Sequence, residues 1–332
     1  MPLLAVRGLS AEFRTEAGTI RPVNEVSFTL DRGETLAVVG ESGSGKSVTS
    51  LAIMGLLPAP AGRVAAGEIL LRRKGGETAD LARLGEKAMC AVRGNDVAMI
   101  FQEPMTSLNP VRRIGSQIAE AAALHGGMGR RAASARAEEL LALVDIPDPA
   151  RRMRDYPHQM SGGMRQRATI AIALAGGPAL LVADEPATAL DVTVQAQVLA
   201  LLRRLQDRLG MGILFITHNL GVVAQIARRV VVMYAGRVLE KGGVVDIFQR
   251  PSHPYTRGLL ASLPRLGLAE AGTHARLLAI PGAVPGPASL PPGCPFAPRC
   301  AWAEAACTET VPALEPCGEG HLTRCRRWRE LP

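Results

Sequence analysis

The sequence predicts an α/β fold, in which a mostly parallel sheet is covered by helices on both faces. Short apolar runs typical of buried strands, at residues 35–39, 180–183 and 212–217, alternate with longer stretches of helical periodicity. A glycine-rich loop, GESGSGKS at residues 40–47, lies between the first of these runs and a helical stretch at residues 48–57. In such a sheet, side chains at the carboxyl ends of the strands gather in one crevice.

Strands are expected on both sides of this loop. Residues 3–14 and 20–30 alternate apolar and polar side chains around a glycine-containing turn, which predicts two antiparallel strands. Further strands are expected at residues 68–71, 97–101, 230–234 and 237–240, the last two joined as a hairpin through Ala235 and Gly236.

A helical insert is expected in the middle of the chain. Residues 114–124, residues 131–144 and the segment that ends at Tyr156 are rich in alanine and arginine, and we place the insert at about residues 104–160. The helix after the loop is expected to stop at Pro58, because proline cannot continue a helix.

Two later helices are predicted with different roles. Ser161 suits the N-cap of a helix that runs to about residue 175, and Gly162 and Gly163 let its backbone pass close to an anion. The N-terminus of this helix is therefore a candidate anion site. The anion that it would bind is not one held by another part of this chain. Residues 194–209 carry an apolar stripe that faces a core.

The loop at residues 40–47 has the residue types of a phosphate-binding loop and predicts a P-loop NTPase. Its glycines let successive backbone N–H groups point at phosphate oxygens, and the helix N-terminus adds partial positive charge. Lys46 can reach the β- and γ-phosphates, and Ser47 can bind Mg²⁺. A glycine- and serine-rich turn with an accidental lysine is the alternative. Nucleotide contacts are expected from Gly40, Ser42, Gly43, Ser44, Gly45, Lys46 and Ser47.

Polar side chains follow three other predicted strands. Asp184 would hold Mg²⁺, and Glu185 would polarise the attacking water as a general base. Gln102 offers an amide to the metal and the water, and His218 can hydrogen-bond the γ-phosphate. The alternatives are an acidic pair that faces solvent and an ordinary strand-end histidine. Phe13 either stacks on an adenine ring or packs as a simple aromatic residue.

Composition limits the function classes. The 332 residues are 47% hydrophobic and 20% charged, as in a globular protein with more than one domain or subdomain. Aromatic residues make up 3%, and the net charge of +8 is not organised into a long basic run, so nucleic acid is not an expected partner. We find no signal peptide, and the longest uncharged stretch, residues 168–183, is broken by Gly-Gly-Pro. The protein is therefore expected to be cytoplasmic or peripheral to a membrane.

The composition changes from about residue 251, and we expect a small appended domain at residues 251–332. A proline- and glycine-rich stretch is followed by cysteines, and five of the six cysteines lie between Cys294 and Cys325. In a reducing compartment such clustering favours a metal site over disulfides.

Taken together, the motifs resemble the ATP-binding subunits of ABC transporters over about residues 3–263. They are, in order, GESGSGKS, Gln102, SGGMRQ at residues 161–166, LLVADEP at residues 180–186, ALD at residues 189–191 and His218. Further segments are similar to the oligopeptide/dipeptide/nickel importer branch: IFQEPMTSLNP at residues 100–110, YPHQMSGGMRQR at residues 156–167, DVTVQAQ at residues 191–197 and HPYTRGLL at residues 253–260.

The resemblance implies a RecA-like core with an antiparallel β subdomain and a helical subdomain, together at residues 1–250. It also implies a head-to-tail dimer, in which ATP lies between the phosphate loop of one subunit and the SGG motif of the other. The residues that would act on ATP in cis are Lys46, Ser47, Gln102, Asp184, Glu185 and His218. Those that would act in trans are Ser161, Gly162 and Gly163, with Asp191 at the dimer interface.

The resemblance further implies partners and a location. This branch pairs two related but different ATPase chains with two transmembrane permease subunits and an extracytoplasmic solute-binding protein, on the cytoplasmic face of the membrane. The segment after Gln102 would meet the permease. Met164 stands where the general family has glutamine, and Ala187 stands where the branch tends to have threonine. Neither departure removes a catalytic group.

The tail resembles the C-terminal region of the same branch, some of whose members bind a four-iron cluster. The matching residues are Cys294, Cys300, Cys307 and Cys325, whereas Cys317 is extra. Four thiolates suit a 4Fe–4S cluster or a structural Zn²⁺, and spacings wider than those of a zinc ribbon favour iron–sulfur. Free thiols are the remaining alternative.

The resemblance implies an ATPase that powers the uptake of peptides, with nickel or another small solute as the alternative cargo. A non-transport ABC ATPase acting on DNA or ribosomes would carry two loops or long coiled coils, but this chain has one loop and no sustained heptads. A P-loop kinase or GTPase would have no use for SGGMRQR. A pure scaffold is disfavoured because Glu185 and His218 are intact.

Overall fold

The computed structural model of the chain describes residues 1–16, 18–102, 107–188, 190–263 and 280–331. Within these residues the strands are β1 Leu4–Thr15, β2 Gly18–Leu30, β3 Thr35–Val39, β4 Gly62–Arg72, β5 Thr78–Asp80, β6 Val97–Ile100, β7 Leu180–Asp184, β8 Gly212–Thr217, β9 Arg229–Tyr234, β10 Arg237–Gly243, β11 Glu315–Gly318 and β12 His321–Thr323. The α-helices are Lys46–Ile53, Glu86–Val92, Ile114–Gly126, Arg130–Leu143, Pro149–Arg152, Gly162–Ala173, Val192–Leu209, Leu220–Ile226, Val244–Gln249, Pro254–Ala261 and Ala305–Glu309. None of these described helices is both long and apolar enough to span a membrane.

Two sheets organise the strands. Among the described residues, the larger sheet has the order β11-β12-β10-β9-β3-β8-β7-β6, and the smaller has the order β2-β1-β4-β5. The neighbours from β9 through β3, β8 and β7 to β6 are parallel, which confirms the predicted parallel core. The smaller sheet is antiparallel, and β9 and β10 form the predicted hairpin.

Alternating side chains bury both faces of the parallel core. In β7, Leu180 and Val182 pack against the smaller sheet, whereas Leu181 and Ala183 pack on the side of the helical insert. Phe215 of β8 lies on the same side as Leu181 and is 1% exposed. Burying one side chain of this size contributes about 2 kcal/mol, so the apolar runs that predicted these strands also fix where the strands lie.

The helix that follows the loop ends earlier than predicted. It spans Lys46–Ile53 rather than residues 48–57, so proline is not what ends it. Gly55 adopts a left-handed φ of +61° directly after the helix, which is a common way for a helix to stop. The Arg93 guanidinium then donates to the carbonyl oxygens of Met54 and Gly55, at 2.7 Å each, and satisfies acceptors that the helix end leaves open.

Other elements extend beyond the sequence prediction or escaped it. β4 begins six residues before the predicted strand at residues 68–71, and its pairing with β1 shifts register near Gly67, where φ is +96°. Several elements were not predicted because they are too short to show a period. These are Thr78–Asp80, Glu86–Val92, Leu220–Ile226, Val244–Gln249 and Pro254–Ala261.

The helical insert has the helices that the sequence predicts, Ile114–Gly126 and Arg130–Leu143. Pro149 begins the short helix Pro149–Arg152, since proline is well accepted at the first helical position. The expected start of the insert and the expected permease-contacting segment fall in residues 103–106, which lie outside the described residues, as does Ala189 of the ALD motif.

The described part of the C-terminal extension, residues 251–263 and 280–331, shares a sheet and a core with the rest of the chain. β12 pairs with the free edge of β10. The rings of Tyr255 and Phe296 pack against Tyr234 of β9, with ring centroids 4.7 and 5.3 Å from it. Strands from both sides of the expected domain boundary at residue 250 therefore belong to one sheet. The division into two domains stays a prediction.

Glu240 of β10 joins several parts of the extension. Its carboxylate is fully buried and accepts the backbone N–H groups of Ser252, at 2.6 Å, and His253, at 3.0 Å. The same carboxylate lies 2.7 Å from Nε2 of His321 in β12. A buried carboxylate is stable only with such partners, so Glu240 and the extension depend on each other.

We expect Glu240→Ala to loosen the extension. The substitution leaves two backbone donors and the His321 ring without their acceptor in a buried place, at a cost of about 3 kcal/mol in the free energy of unfolding. Urea denaturation measures this loss, and limited proteolysis should cut faster after residue 250. The control is Glu315→Ala, an exposed glutamate of β11, which should change the free energy by less than about 0.5 kcal/mol. Equal stability of Glu240→Ala and the wild type would contradict this account.

Candidate functional site

The glycine-rich loop adopts backbone conformations that other residues rarely reach. Gly40, Gly43 and Gly45 have φ values of +154°, +79° and +95°. A Cβ atom on Gly40 would collide with the carbonyl oxygen of Met233 in β9, and one on Gly45 with that of Pro22 in β2. The loop is therefore held closely by its surroundings, and glycine is required at positions 40 and 45 by space as well as by dihedral angle.

Lys46 closes the loop on itself. Its Nζ atom donates to the carbonyl oxygens of Gly40, at 2.8 Å, and Glu41, at 2.9 Å, and lies 3.2 Å from Oγ of Ser44. Burial lowers the pKa of Lys46, and the nearby carboxylates, Glu185 first among them, oppose this effect. The ammonium thus lies at the centre of the loop, with acceptors that phosphate oxygens can replace.

Ser47 and Asp184 bring together the oxygen atoms that Mg²⁺ prefers. The Ser47 hydroxyl lies 3.3 Å from Oδ1 of Asp184, and the Ser50 hydroxyl lies 3.1 Å from Oδ2. Burial raises the pKa of Asp184 above its ordinary value, although both serine hydroxyls act in the opposite direction. A hydroxyl and a carboxylate at this distance fit a hard cation that keeps part of its water shell.

Glu185 is oriented by three side chains. Its carboxylate lies 3.0 Å from Nδ1 of His218, accepts the Thr188 hydroxyl at 2.9 Å and lies 3.4 Å from Nε2 of Gln102. Burial raises the pKa of Glu185, but the hydrogen bonds from His218 and Thr188, with the charge of Lys46, outweigh burial and leave the pKa below its ordinary value. An ionised, oriented carboxylate suits a general base. Glu185 itself has a φ of +50°, uncommon for a residue other than glycine.

The predicted residues meet in one open cleft. It is lined by residues 40–48 of the loop and the start of its helix, and by Gln102, Glu185 and His218. Asp184 lies beneath, bonded to Ser47. Sequence reasoning missed Thr188, which lies three residues after Glu185 in the same turn, and it missed the part of the extension that forms another wall of the cleft. The residues of that wall are Leu259, Ala283, Val284 and Pro287.

Phe13 does not line this cleft. It lies in β1 opposite Ile20 of β2, and its ring is packed so closely against Gly62 of β4 that a Cβ there would come within 2.8 Å. Adenine stacking by Phe13 therefore stays a prediction.

The SGG motif also lies apart from the cleft. Ser161 is the N-cap of the helix Gly162–Ala173, and its hydroxyl accepts the N–H of Met164 at 3.3 Å, as predicted for a helix start. Asp191 caps the helix Val192–Leu209 in the same way. Both helix tips lie outside the lining of the cleft formed by the chain's own loop.

Comparison with known proteins decides the family. Residues 23–188 match the ABC transporter family, and residues 239–307 match the oligopeptide/dipeptide transporter C-terminal region. The chain belongs to the ABC transporter family. Within it, this chain is an ATP-binding, ATP-hydrolysing transporter subunit, as the sequence predicted.

Relatives of this ABC subunit match almost its whole length. A putative peptide import ATP-binding protein of Brucella ovis is 58% identical over 332 residues, covering 99% of this chain and 98% of the relative. The dipeptide transport ATP-binding protein DppD of Bacillus subtilis is 50% identical over 323 residues, covering 97% of this chain and 94% of the relative.

Solved structures confirm the cassette fold. The ATP-binding cassette MJ0796, in a dimeric post-hydrolysis state with ADP and phosphate, has a TM-score of 0.63 at 23% identity, over 73% of this chain and 98% of that one. The cbiO1 protein of Clostridium perfringens, part of the ABC transporter complex cbiONQ, has a TM-score of 0.62 at 24% identity, over 75% and 91%.

Four cysteines of the extension surround one small cavity. Cys294, Cys300, Cys307 and Cys325 line it together with His253. Burial raises the pKa of the Cys294 thiol to about 11 and that of Cys325 to about 12, and the neighbouring thiols add to the effect. The imidazole Nε2 of His253 is buried and has no hydrogen-bond partner among the residues that the structure describes.

The cysteines as placed do not form a closed metal site. Among the described residues, no three His, Cys, Asp or Glu side chains are grouped so that they could hold a metal ion. A zinc tetrahedron would need its sulfurs about 3.8 Å apart. Cys317 does not line the cavity, and its thiol lies 3.5 Å from the carbonyl oxygen of His321, in agreement with its description as the extra cysteine.

We expect Gly45→Ala to abolish ATP binding. The new Cβ meets the Pro22 carbonyl oxygen and the φ of +95° is strained, so the loop must move, and ATP affinity should fall by at least about a hundredfold. Titration of the full chain with a fluorescent ATP analogue measures this. Gly33→Ala is the control, since Gly33 shares a positive φ but faces open space in a distant turn. Normal affinity in Gly45→Ala would contradict the steric argument.

Proposed function

We propose that this chain drives peptide uptake by hydrolysing ATP in the cleft above β3, β7 and β8. One observation carries the proposal: the loop, Asp184 and the Glu185–His218 pair converge at the carboxyl ends of these strands. Relatives named as peptide import and dipeptide transport proteins support a peptide cargo, as does the match to the oligopeptide/dipeptide C-terminal region. Nickel or another small solute stays the alternative cargo.

The loop is proposed to hold the triphosphate. Lys46 exchanges its present carbonyl acceptors for oxygens of the β- and γ-phosphates, and backbone N–H groups of residues 42–47 donate to the same chain of phosphates. The hydroxyls of Ser42 and Ser44 lie in the same loop and are proposed as further contacts. Phe13 is proposed to stack on adenine, although the cleft does not include it.

Three side chains are proposed to hold Mg²⁺. Ser47 and Asp184 face each other with oxygen atoms, and the Gln102 amide lines the same cleft. When bound, Mg²⁺ supplies charge neutralisation at the phosphates. The hydroxyls of Ser47 and Ser50 hold the Asp184 carboxylate, and the charge of Lys46 favours its ionised form by lowering its pKa.

Glu185 is proposed to accept a proton from the attacking water. Thr188 and His218 hold its carboxylate, and His218, whose side chain is 58% exposed, is proposed to reach the γ-phosphate through Nε2. Gln102 orients the same carboxylate from the other side, so that the water, the base and the phosphate are fixed before reaction.

A second subunit is proposed to complete the site. Ser161, Gly162 and Gly163 begin a helix of twelve residues whose N-terminal N–H groups can bind an anion, and they do not line this chain's own cleft. We propose that they act on the ATP of a related but different ATPase chain, with Asp191 at the interface. Two permease subunits, a solute-binding protein and a peripheral position on the cytoplasmic membrane face complete the assembly.

We expect Glu185→Gln to keep ATP binding and lose turnover. In the transporter reassembled with its permeases and solute-binding protein, ATP hydrolysis and labelled-peptide uptake should fall by at least about a hundredfold, because the amide cannot accept the proton. Glu138→Gln, an exposed change in the helical insert, is the matched control. Unchanged hydrolysis in Glu185→Gln would contradict the assignment of Glu185 as the general base. If a nickel chelate stimulated hydrolysis and peptides did not, the cargo would be the nickel chelate and the proposal of a peptide cargo would be wrong.

We also propose that Cys294, Cys300, Cys307 and Cys325 bind a 4Fe–4S cluster. All four line one cavity, and their spacing along the chain is wider than that of a zinc ribbon. The cluster is assigned no step in ATP hydrolysis.

Anaerobically purified protein is expected to be brown, with about four irons per chain and broad visible charge-transfer absorption. Cys300→Ser should lose the iron, since its thiol faces the cavity, whereas Cys317→Ser should keep it as the matched control. A colourless preparation that contains zinc would contradict the iron–sulfur proposal and show that the cysteines bind Zn²⁺. A metal-free preparation would show that the cysteines are free thiols.

A further inference from the structure

Glu41, the residue that follows Gly40 in the phosphate loop, is held by two residues of the C-terminal extension. Its backbone N–H donates to the hydroxyl of Tyr255 at 2.8 Å. Its carboxylate accepts two bonds from the Arg299 guanidinium, at 2.7 and 3.0 Å. The extension thus binds both the backbone and the side chain of a residue that adjoins Gly40.

Arg299 is itself fixed in place. Its remaining N–H groups donate to the carbonyl oxygens of Pro281, at 2.8 Å, and Ile280, at 3.2 Å, and to the hydroxyl of Tyr234, at 3.2 Å. The guanidinium lies over the rings of Tyr234 and Phe296 and its side chain is 5% exposed. An arginine with so many partners presents a rigid fork, so it can hold Glu41 in one position.

The pair also changes the charge next to the phosphate site. Burial lowers the pKa of Lys46, and the Glu41 carboxylate lies close enough to oppose this effect, together with Glu185 and Asp184. An unpaired carboxylate at this place would repel the negative charges of ATP, and the bidentate Arg299 cancels it. Glu41 is only partly buried, with a side chain 30% exposed, so the repulsion would be sensitive to salt.

We propose that Arg299 and Tyr255 are positioning residues of the ATP site: they hold Glu41 so that the phosphate loop keeps its shape and its positive charge. Neither touches the phosphates, and both act through Glu41. This proposal rests on the proposed function of the loop as an ATP site. It makes the cysteine-rich extension part of the nucleotide-binding machinery, because Arg299 is the last residue of the 3₁₀ turn Ala297–Arg299, directly before Cys300.

The test is a double-mutant cycle on the full chain, with binding of a fluorescent ATP analogue in the presence of Mg²⁺. Arg299→Gln should weaken binding about tenfold, and more at low salt, because it leaves Glu41 charged and unpaired. Glu41→Gln alone should weaken binding less than about threefold, and the double variant should return to within about threefold of the wild type. A purely structural role for Arg299 would instead leave the double variant as weak as Arg299→Gln.

Two further variants keep the proposal testable if Arg299→Gln does not fold. Arg299→Lys retains the charge and loses the fork, so it should lose about threefold in affinity, and Tyr255→Phe should lose a similar factor because the Glu41 N–H loses its acceptor. Thermal unfolding without nucleotide checks that each variant is folded. Arg250→Gln is the control, since Arg250 pairs with Asp246 on the surface, away from the loop.

Turnover gives an independent readout. In the assembled transporter, Arg299→Gln should raise the KM for ATP about tenfold and leave kcat nearly unchanged, because Glu185 and its partners are untouched. Wild-type binding in folded Arg299→Gln and Tyr255→Phe would overturn the proposal and leave the ATP site intact. Failure of the wild-type chain to bind ATP would instead overturn the proposed function.

Discussion

The close fit of residues 40–47 between strands from distant parts of the chain is the constraint on which the site depends. The carbonyl oxygens of Met233 and Pro22 leave no room for a side chain at Gly40 or Gly45. Lys46 bonds to the loop's own carbonyls from inside. The loop is therefore closely held before any nucleotide arrives, so little ordering entropy remains to be lost if one binds there.

The positions of the proposed catalytic side chains follow from the same sheet. β3, β8 and β7 are adjacent parallel strands, so their carboxyl ends lie at the same edge of the sheet. The residues that follow them therefore lie close together: Gly40, His218 and Glu185. Packing fixes the register of these strands, because both faces are buried and a shift by one residue would exchange the side chains of the two cores, which differ in size. Core packing thereby sets the 3.0 Å contact between Glu185 and His218.

The sequence was most informative where the functional residues lie next to one another in a short motif. The loop, Asp184–Glu185 and the Ser161 cap each combine a fixed spacing with a recognisable element. Contacts between distant segments leave no such period: Arg299 and Glu41 are 258 residues apart, and nothing near either residue indicates the other. Short elements also escaped, since the end of the first helix depends on Gly55 and on Arg93 from a later segment.

The pairing of β12 with β10 has a consequence for anyone who would shorten the chain to its cassette. A protein cut at residue 250 would expose the side of β10 that pairs with β12, with unsatisfied backbone donors and acceptors, at the edge of the larger sheet. Such an edge invites strands from other molecules and favours aggregation. The tail therefore also serves as a cover that protects this edge of β10 from pairing with strands of other molecules.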